Sequence, residues 1–251
     1  MMNRFFKFCA LVLTLAVVSG CFCGCQKEEP ADILRIYEIA VDSSQPFSSA
    51  AQFEGTRGIE LSLLDAIAQD QHLGYAPLIT EVSAADDLKS KSVDAAMAMI
   101  EINETNKKVF DFSDVYFEDG YIFCVSKGSD TQSADGLLGG KIGVVEGSKA
   151  EVFLSTLTGN PSTVTFKNKA DLYSAVQKNE VPAGFCDFLS VKYDIKAGVS
   201  LKTVGEKEGS VKYGLAVLKG KNKALLSSFN TGLKNIKASG KYDEILDSYF
   251  K

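Results

Sequence analysis

The sequence predicts an α/β protein built as two lobes, and three observations carry that reading. Short apolar runs alternate with segments of helical periodicity, as in layered α/β folds. The alternation restarts near residue 120. Two helices close the chain, free to pack back on its first half, so the two units become lobes joined by paired crossovers.

The first strand is "ILRIYEIAV" (33–41), which follows the polar linker "QKEEPAD" (26–32) and ends at Asp42. "GIELSLLDAIAQDQHLGY" (58–75) places Ile59, Leu63, Leu64 and Ile67 at helical spacing, with Gly74 as its stop. "APLITEV" (76–82) reads as a strand and "AADDLKSKS" (84–92) as a short helix. "VDAAMAMI" (93–100) is a strand apolar on both faces, as in a parallel sheet. In the second unit "GYIFCVSKGS" (120–129) and "KIGVV" (141–145) are strands, the latter delivering the chain to Gly147-Ser148. "AEVFLSTL" (150–157) is a helix, "STVTF" (162–166) a strand, and "KADLYSAVQKN" (169–179) a helix with Leu172, Ala175 and Val176 on one face. "PAGFCDFL" (182–189) ends its apolar run at Asp187. "YGLAVLKG" (213–220) is the last strand, and helices over 222–238 and 241–250 meet at Gly240.

The N-terminus sets where the protein works. Arg4 and Lys7 precede an apolar run, Phe8 to Val18, too short to span a bilayer and of the form of a secretory leader. It closes with Val18-Ser19-Gly20-Cys21, which resembles the bacterial lipobox, cleaved before a cysteine that receives lipid. An ordinary signal peptide and a start-transfer anchor are the other readings. Cys21, Cys23 and Cys25 form an alternating C-x-C-x-C with no nearby histidine, a poor zinc pattern. We read residues 1–20 as the leader and 21–32 as a lipidated tether, with Cys21 as the lipid site. Beyond it only Cys124 and Cys186 remain, either as two buried thiols or as one disulfide.

The chain carries a formal charge of −5, and loss of Arg4 and Lys7 with the leader takes it to −7. An acidic chain without a basic stripe is not built for nucleic acid. His72 is the only histidine, so triads and zinc hydrolase motifs are absent, and no metal or cofactor is expected. "GLLGGKIG" (136–143) has the wrong spacing for a phosphate loop. The only arginines are Arg4, Arg35 and Arg57; all other basic residues are lysine.

Five segments in order resemble the bacterial extracellular solute-binding proteins of the polar amino-acid family, over about 33–251. They are "GIELSLLDAIAQD", "DFSDVYFEDG" (111–120), "KIGVVEGSKAEVFL", "VPAGFCD" and "ASGKYDEILDSYF". The resemblance implies a type 2 periplasmic-binding-protein-like fold: two α/β lobes joined by two hinge strands. We place lobe 1 at 33–117 plus 215–251 and lobe 2 at 118–214. It also implies a monomer that closes on a small-molecule solute and hands it to the permease subunits of an ABC importer, held to the outer face of the membrane by lipid. It implies no enzyme. In "DFSDVYFEDG", Asp111, Ser113 and Asp114 would hold the turn, and Phe112, Tyr116 and Phe117 would pack where the chain leaves lobe 1.

The ligand residues depart from the family pattern. Met99 stands at the usual glycine, Glu101 at the usual threonine or serine, Asn106 at the arginine that grips a carboxylate, and Ser44 where an aromatic stacks on the ligand. Asp187 matches the amine-binding aspartate, and Gly147-Ser148 the anion-facing turn. Charge-assisted bonds contribute roughly 1.5–3 kcal/mol each, so loss of the arginine lowers affinity for a plain amino acid about a hundredfold or more. Lys149 has two readings: a cation in the cleft, or a solvent-facing member of the capping box Ser148-Lys149-Ala150-Glu151. Glu101 and Asp187, with Asp42 near the first-lobe loop, make a field that favours a cationic or amine-bearing solute, with Asn106 as a neutral donor or acceptor. If Lys149 turns inward, a zwitterion returns as a candidate. Two other functions compete: a sensory or protein-interaction module on the same fold, and a dehydratase of the prephenate type, for which this arginine-poor site is badly equipped.

Overall fold

The computed structural model describes residues 35–41, 47, 58–80, 83–159 and 161–251. The first lobe opens with β1 (Ile36–Val41), whose Ile39, Ala40 and Val41 have no exposed surface. Complete burial on both faces is what a strand inside a parallel sheet requires, and β1 indeed runs parallel to β2 (Gly74–Ile79) and β3 (Ala95–Met97). Helix α1 (Gly58–Gln71) lays Ile59, Leu63, Leu64 and Ile67 into the core, all fully buried. Each such side chain contributes roughly 1.5–3 kcal/mol. Helix α2 (Ala84–Ser90) is capped by Ser83, whose side chain accepts from the Asp86 amide.

Two further strands complete the sheet. β4 (Phe110–Phe112) and β10 (Ala216–Leu218) pair antiparallel, giving the order β2-β1-β3-β10-β4. The second sheet has the order β7-β6-β8-β5-β9. It joins β5 (Phe117–Ser126), β6 (Lys141–Val145), β7 (Ser162–Phe166), β8 (Ala183–Asp187) and β9 (Leu201–Tyr213). Helices α3 (Lys149–Leu154), α4 (Lys169–Gln177) and α5 (Phe188–Lys196) belong to this lobe, while α6 (Lys223–Ala238) and α7 (Lys241–Phe250) return to the first. These are two mixed α/β lobes, as the fold class predicted.

The lobes join where β5 leaves and β9 returns. Here Ser113 exchanges two bonds with Leu215, its amide donating to the Leu215 carbonyl and its Oγ accepting from the Leu215 amide, both at 2.9 Å. The Tyr116 amide donates to the Tyr213 carbonyl at 3.0 Å, and Asp111 accepts from the Gly220 amide at 2.7 Å. Tyr116 and Phe117 are buried with ring centroids 5.1 Å apart. At Gly120 the pairing of β5 with β9 slips. An added Cβ would sit 2.6 Å from the Glu208 carbonyl oxygen, so only glycine passes.

Several elements differ from their expected bounds. Helix α1 stops at Gln71 because His72 turns left-handed (φ 51°), and Gly74 begins β2 instead of ending the helix. The strand expected over 93–100 shortens to three residues. β4 and β9 were not anticipated, and the strand read over 213–220 divides into the end of β9 and β10. β9 lies at the sheet edge, and its charged residues mask the pattern there while protecting that edge from pairing elsewhere. Among the described residues no helix is long and apolar enough to cross a membrane.

Candidate ligand cleft

Four segments bring side chains to the junction between the lobes. They are the loop after β3, the turn before α3, the end of β8, and the hinge strands beneath. The loop is anchored from inside lobe 1. Glu60, in the first turn of α1, is fully buried, and its Oε1 accepts both the Met99 amide at 2.9 Å and the Tyr116 hydroxyl. Burial, and then the neighbouring Glu60 charge, raises the pKa of Tyr116, which keeps its hydroxyl a donor. Met99 takes φ 48°, the conformation for which a glycine is the ordinary choice. The carboxylate that holds its amide offsets that strain.

Two residues on, Glu101 bridges to Tyr213 of β9, and the Ile102 amide donates to the Lys212 carbonyl at 2.8 Å, so the loop is stitched to the hinge. The Asn106 side chain turns back on this loop: its Nδ2 donates to the Glu101 carbonyl at 2.8 Å, while its amide donates to Asn103 Oδ1 at 2.9 Å. The residue at the arginine position therefore shapes the loop.

The positive charge comes from the other lobe. Lys149 Nζ donates to Glu101 Oε2 at 2.7 Å, an ion pair that spans the two lobes. Of the two readings for Lys149, the structure has elements of both: its ammonium pairs with Glu101 while most of its side chain stays exposed, and the capping box forms around it. Ser148 Oγ accepts from the Glu151 amide at 3.1 Å, and Glu151 reaches back to the Gly147 amide at 2.7 Å. Gly147 takes φ 70°, and its N–H, expected to face an anion, is occupied by Glu151.

Asp187 ends β8 opposite Tyr121 of β5 and begins α5, yet makes no cap bond to that helix. That role falls to Asp119, whose Oδ1 accepts the Leu189 amide at 3.1 Å and the Gly120 amide at 2.8 Å. The division leaves Asp187 exposed, with no cap bond from its carboxylate. The surrounding protein raises its pKa, while its own backbone amide and then Lys149 and Lys169 hold it down. A recess of about 40 Å³ lies beside it, lined in part by Ser148, Lys169, Asp187 and Ser190. Asp119 is itself buried, and desolvation pushes its pKa to about 6. Tyr121 and Tyr213 are buried, the first opposite Asp187 and the second bridged to Glu101. Burial raises both, Tyr121 to about 12, and the charges of Asp187, Glu101 and Asp119 add to it.

Glu101 and Lys149 thus come into direct contact, with Asp187 close enough to Lys149 for their charges to act on each other. Asp42, Ser44 and Cys21 lie outside the described residues. The sequence reading missed Asp119, Tyr121 and Tyr213. For Asp119 and Tyr121 the signal was present only as the phase of β5, where they flank the obligatory Gly120, while Tyr213 ends β9. Among the described residues no group of side chains is arranged to hold a metal ion.

A profile of the bacterial extracellular solute-binding proteins, family 3, matches residues 37–251. The chain belongs to that family. This solute-binding protein is 30% identical over 199 residues to the ABC transporter glutamine-binding protein GlnH of Bacillus subtilis, which spans 77% of this chain and 72% of the relative. It is 27% identical over 268 residues to a probable histidine-binding protein of Neisseria gonorrhoeae, which spans 97% and 95% of the two. Among solved structures, substrate-binding domain 2 of Lactococcus lactis GlnP in its open conformation superposes with a TM-score of 0.79 at 30% identity, covering 86% of this chain and 95% of that one. The two-lobed fold is the type 2 periplasmic binding fold. Members of the family bind amino-acid solutes outside the cytoplasm and serve ABC transporters.

Proposed function

We propose that this protein is the lipid-anchored receptor of an amino-acid importer and that its solute is an amino acid with a positively charged side chain. The observation that carries this reading is the ion pair between Lys149 and Glu101, set beside Asp187. Together the three give the cleft one positive and two negative groups. A solute with one carboxylate and two cationic groups complements that set completely. Its α-carboxylate takes Lys149 from Glu101, its α-ammonium goes to Asp187, and its side-chain cation goes to the released Glu101.

The magnitudes allow the exchange. The Lys149 side chain is 59% exposed and Glu101 28%, so their pair contributes no more than about 1 kcal/mol. Closure over a solute excludes water, and a close pair at an effective dielectric near 20 gains about 4 kcal/mol before desolvation. One weak pair is exchanged for three stronger ones. A neutral amino acid would leave Glu101 without a partner, which sets the preference for the cation. Asn106, committed to the Glu101 carbonyl, repels neither.

Calorimetry with L-arginine, L-lysine and L-glutamine tests the assignment. The parent protein should prefer the cationic pair, and Glu101→Gln should weaken them about 10–100-fold while sparing glutamine. Unchanged arginine binding in Glu101→Gln, or tighter binding of glutamine than of either cation by the parent, overturns it. Anchoring has a separate test: Cys21→Ala should release the protein from the membrane fraction, and retention there counts against the lipid.

A further inference from the structure

Cys124 and Cys186 lie on neighbouring antiparallel strands of lobe 2, in a register that pairs Cys124 with Gly184 and Cys186 with Ile122. They are therefore diagonal neighbours, and both point into the same apolar cluster with Leu172, Val176 and Val191. Both are buried, and their sulfur atoms are 3.9 Å apart. They are the only cysteines after Cys25. A buried residue touches only some 6–12 others, so the meeting of two such residues is an uncommon outcome of chance placement.

We propose that Cys124 and Cys186 close into a disulfide when the chain folds under oxidising conditions, a covalent staple joining β5 to β8 one residue from Asp187. The closure in the exported chain rests on the extracytoplasmic placement of the family; the geometry does not. The chemistry is thiol–disulfide exchange with an external disulfide of the R–S–S–R class. One cysteine thiolate attacks it, forming a mixed disulfide and releasing the first R–S–H. The second thiolate attacks the protein sulfur of that mixed disulfide and releases the second R–S–H. Two protein thiols are oxidised, one external disulfide is reduced, and the two thiol protons leave on the two R–S–H molecules.

Timing follows from burial. The bond from Cys124 and then desolvation raise the pKa of Cys186, so in the folded protein that thiol is a poor nucleophile, and burial shields both from oxidant. Closure belongs to the folding chain, and the finished disulfide is equally shielded from reductant. It would close the loop of residues 125–185, which contains β6, α3, β7 and α4, and restrict the unfolded chain accordingly.

Refolding the full chain in oxidised and reduced glutathione, then alkylating it in denaturant without reductant and mapping peptides by mass spectrometry, tests the proposal. The expected result is a Cys124–Cys186 cross-linked peptide that vanishes on reduction, with a melting temperature about 5–15 °C above that of the chain refolded in reductant. Cys124→Ala/Cys186→Ala should fold and show no such difference. Two separately alkylated peptides from the oxidised refold, or cross-links only to Cys21, Cys23 or Cys25, overturn it. The same map on the exported chain reads the compartment. Free thiols there, beside a cross-linked refolded chain, count against an oxidising compartment and not against the pair.

Discussion

Asp119 is a buried acid close enough to Asp187 to feel its charge, and its ionisation is unfavourable. Desolvation outweighs the two amides it accepts, and its pKa rises from 3.8 to about 6. A carboxyl whose pKa is higher folded than unfolded binds more protons in the native state. Its stabilising effect is complete below about 4 and is lost as pH rises through about 6. The difference of about two units corresponds to roughly 2–3 kcal/mol. Asp119→Asn keeps an acceptor for the Gly120 and Leu189 amides and removes the charge. Urea melts from pH 4 to 7 should show the variant gaining on the parent by about 1–3 kcal/mol across that window; parallel curves would contradict this account. At the same scale the sequence carries Asn106 where the family resemblance implies a carboxylate-gripping arginine, a difference that residue type is enough to show once the resemblance is granted. It left open that Lys149 brings a cation from the opposite lobe, because a side chain's direction depends on a partner 48 residues away. Tyr121 and Tyr213 were invisible for a related reason: an aromatic in an apolar strand reads as core until its neighbours are known.

At the scale of elements, four of the amphipathic helices and apolar strands were legible almost to the residue: β6 and β7 match their expected spans, and α6 and α7 differ by one residue or none. β9 was not, since its exposed edge carries Lys202, Glu206, Lys207, Glu208 and Lys212 in place of an apolar alternation. What defines β9 is its partner β5, and a single segment carries no record of a partner. The slip at Gly120 is the point where that pairing is most constrained. Gly120→Ala should destabilise the protein by about 1–3 kcal/mol through overpacking, measured by chemical denaturation. A change within about 0.5 kcal/mol would mean that the bulge opens freely.

At the scale of the molecule, a receptor whose solute replaces a bond between its lobes should compact on binding. Small-angle scattering with L-arginine should show a smaller radius of gyration, and an unchanged value with a bound solute would mark a rigid body. The two hinge strands are not the only link. Helix α7 packs on α1 and α6 of the first lobe and also on α5 of the second. Its Tyr242 hydroxyl donates to the Tyr116 carbonyl at 2.6 Å, and Lys196 at the end of α5 donates to the Asp247 and Ser248 carbonyls at 3.3 and 2.7 Å. The last helix is thus fastened to both lobes. A fluorophore attached at Lys251 would ride on that fastening and report solute as a change in its surroundings, from a position well away from the residues that bind. A bulky fusion at the same end would load the hinge, so carriers and tags for this protein are better placed elsewhere.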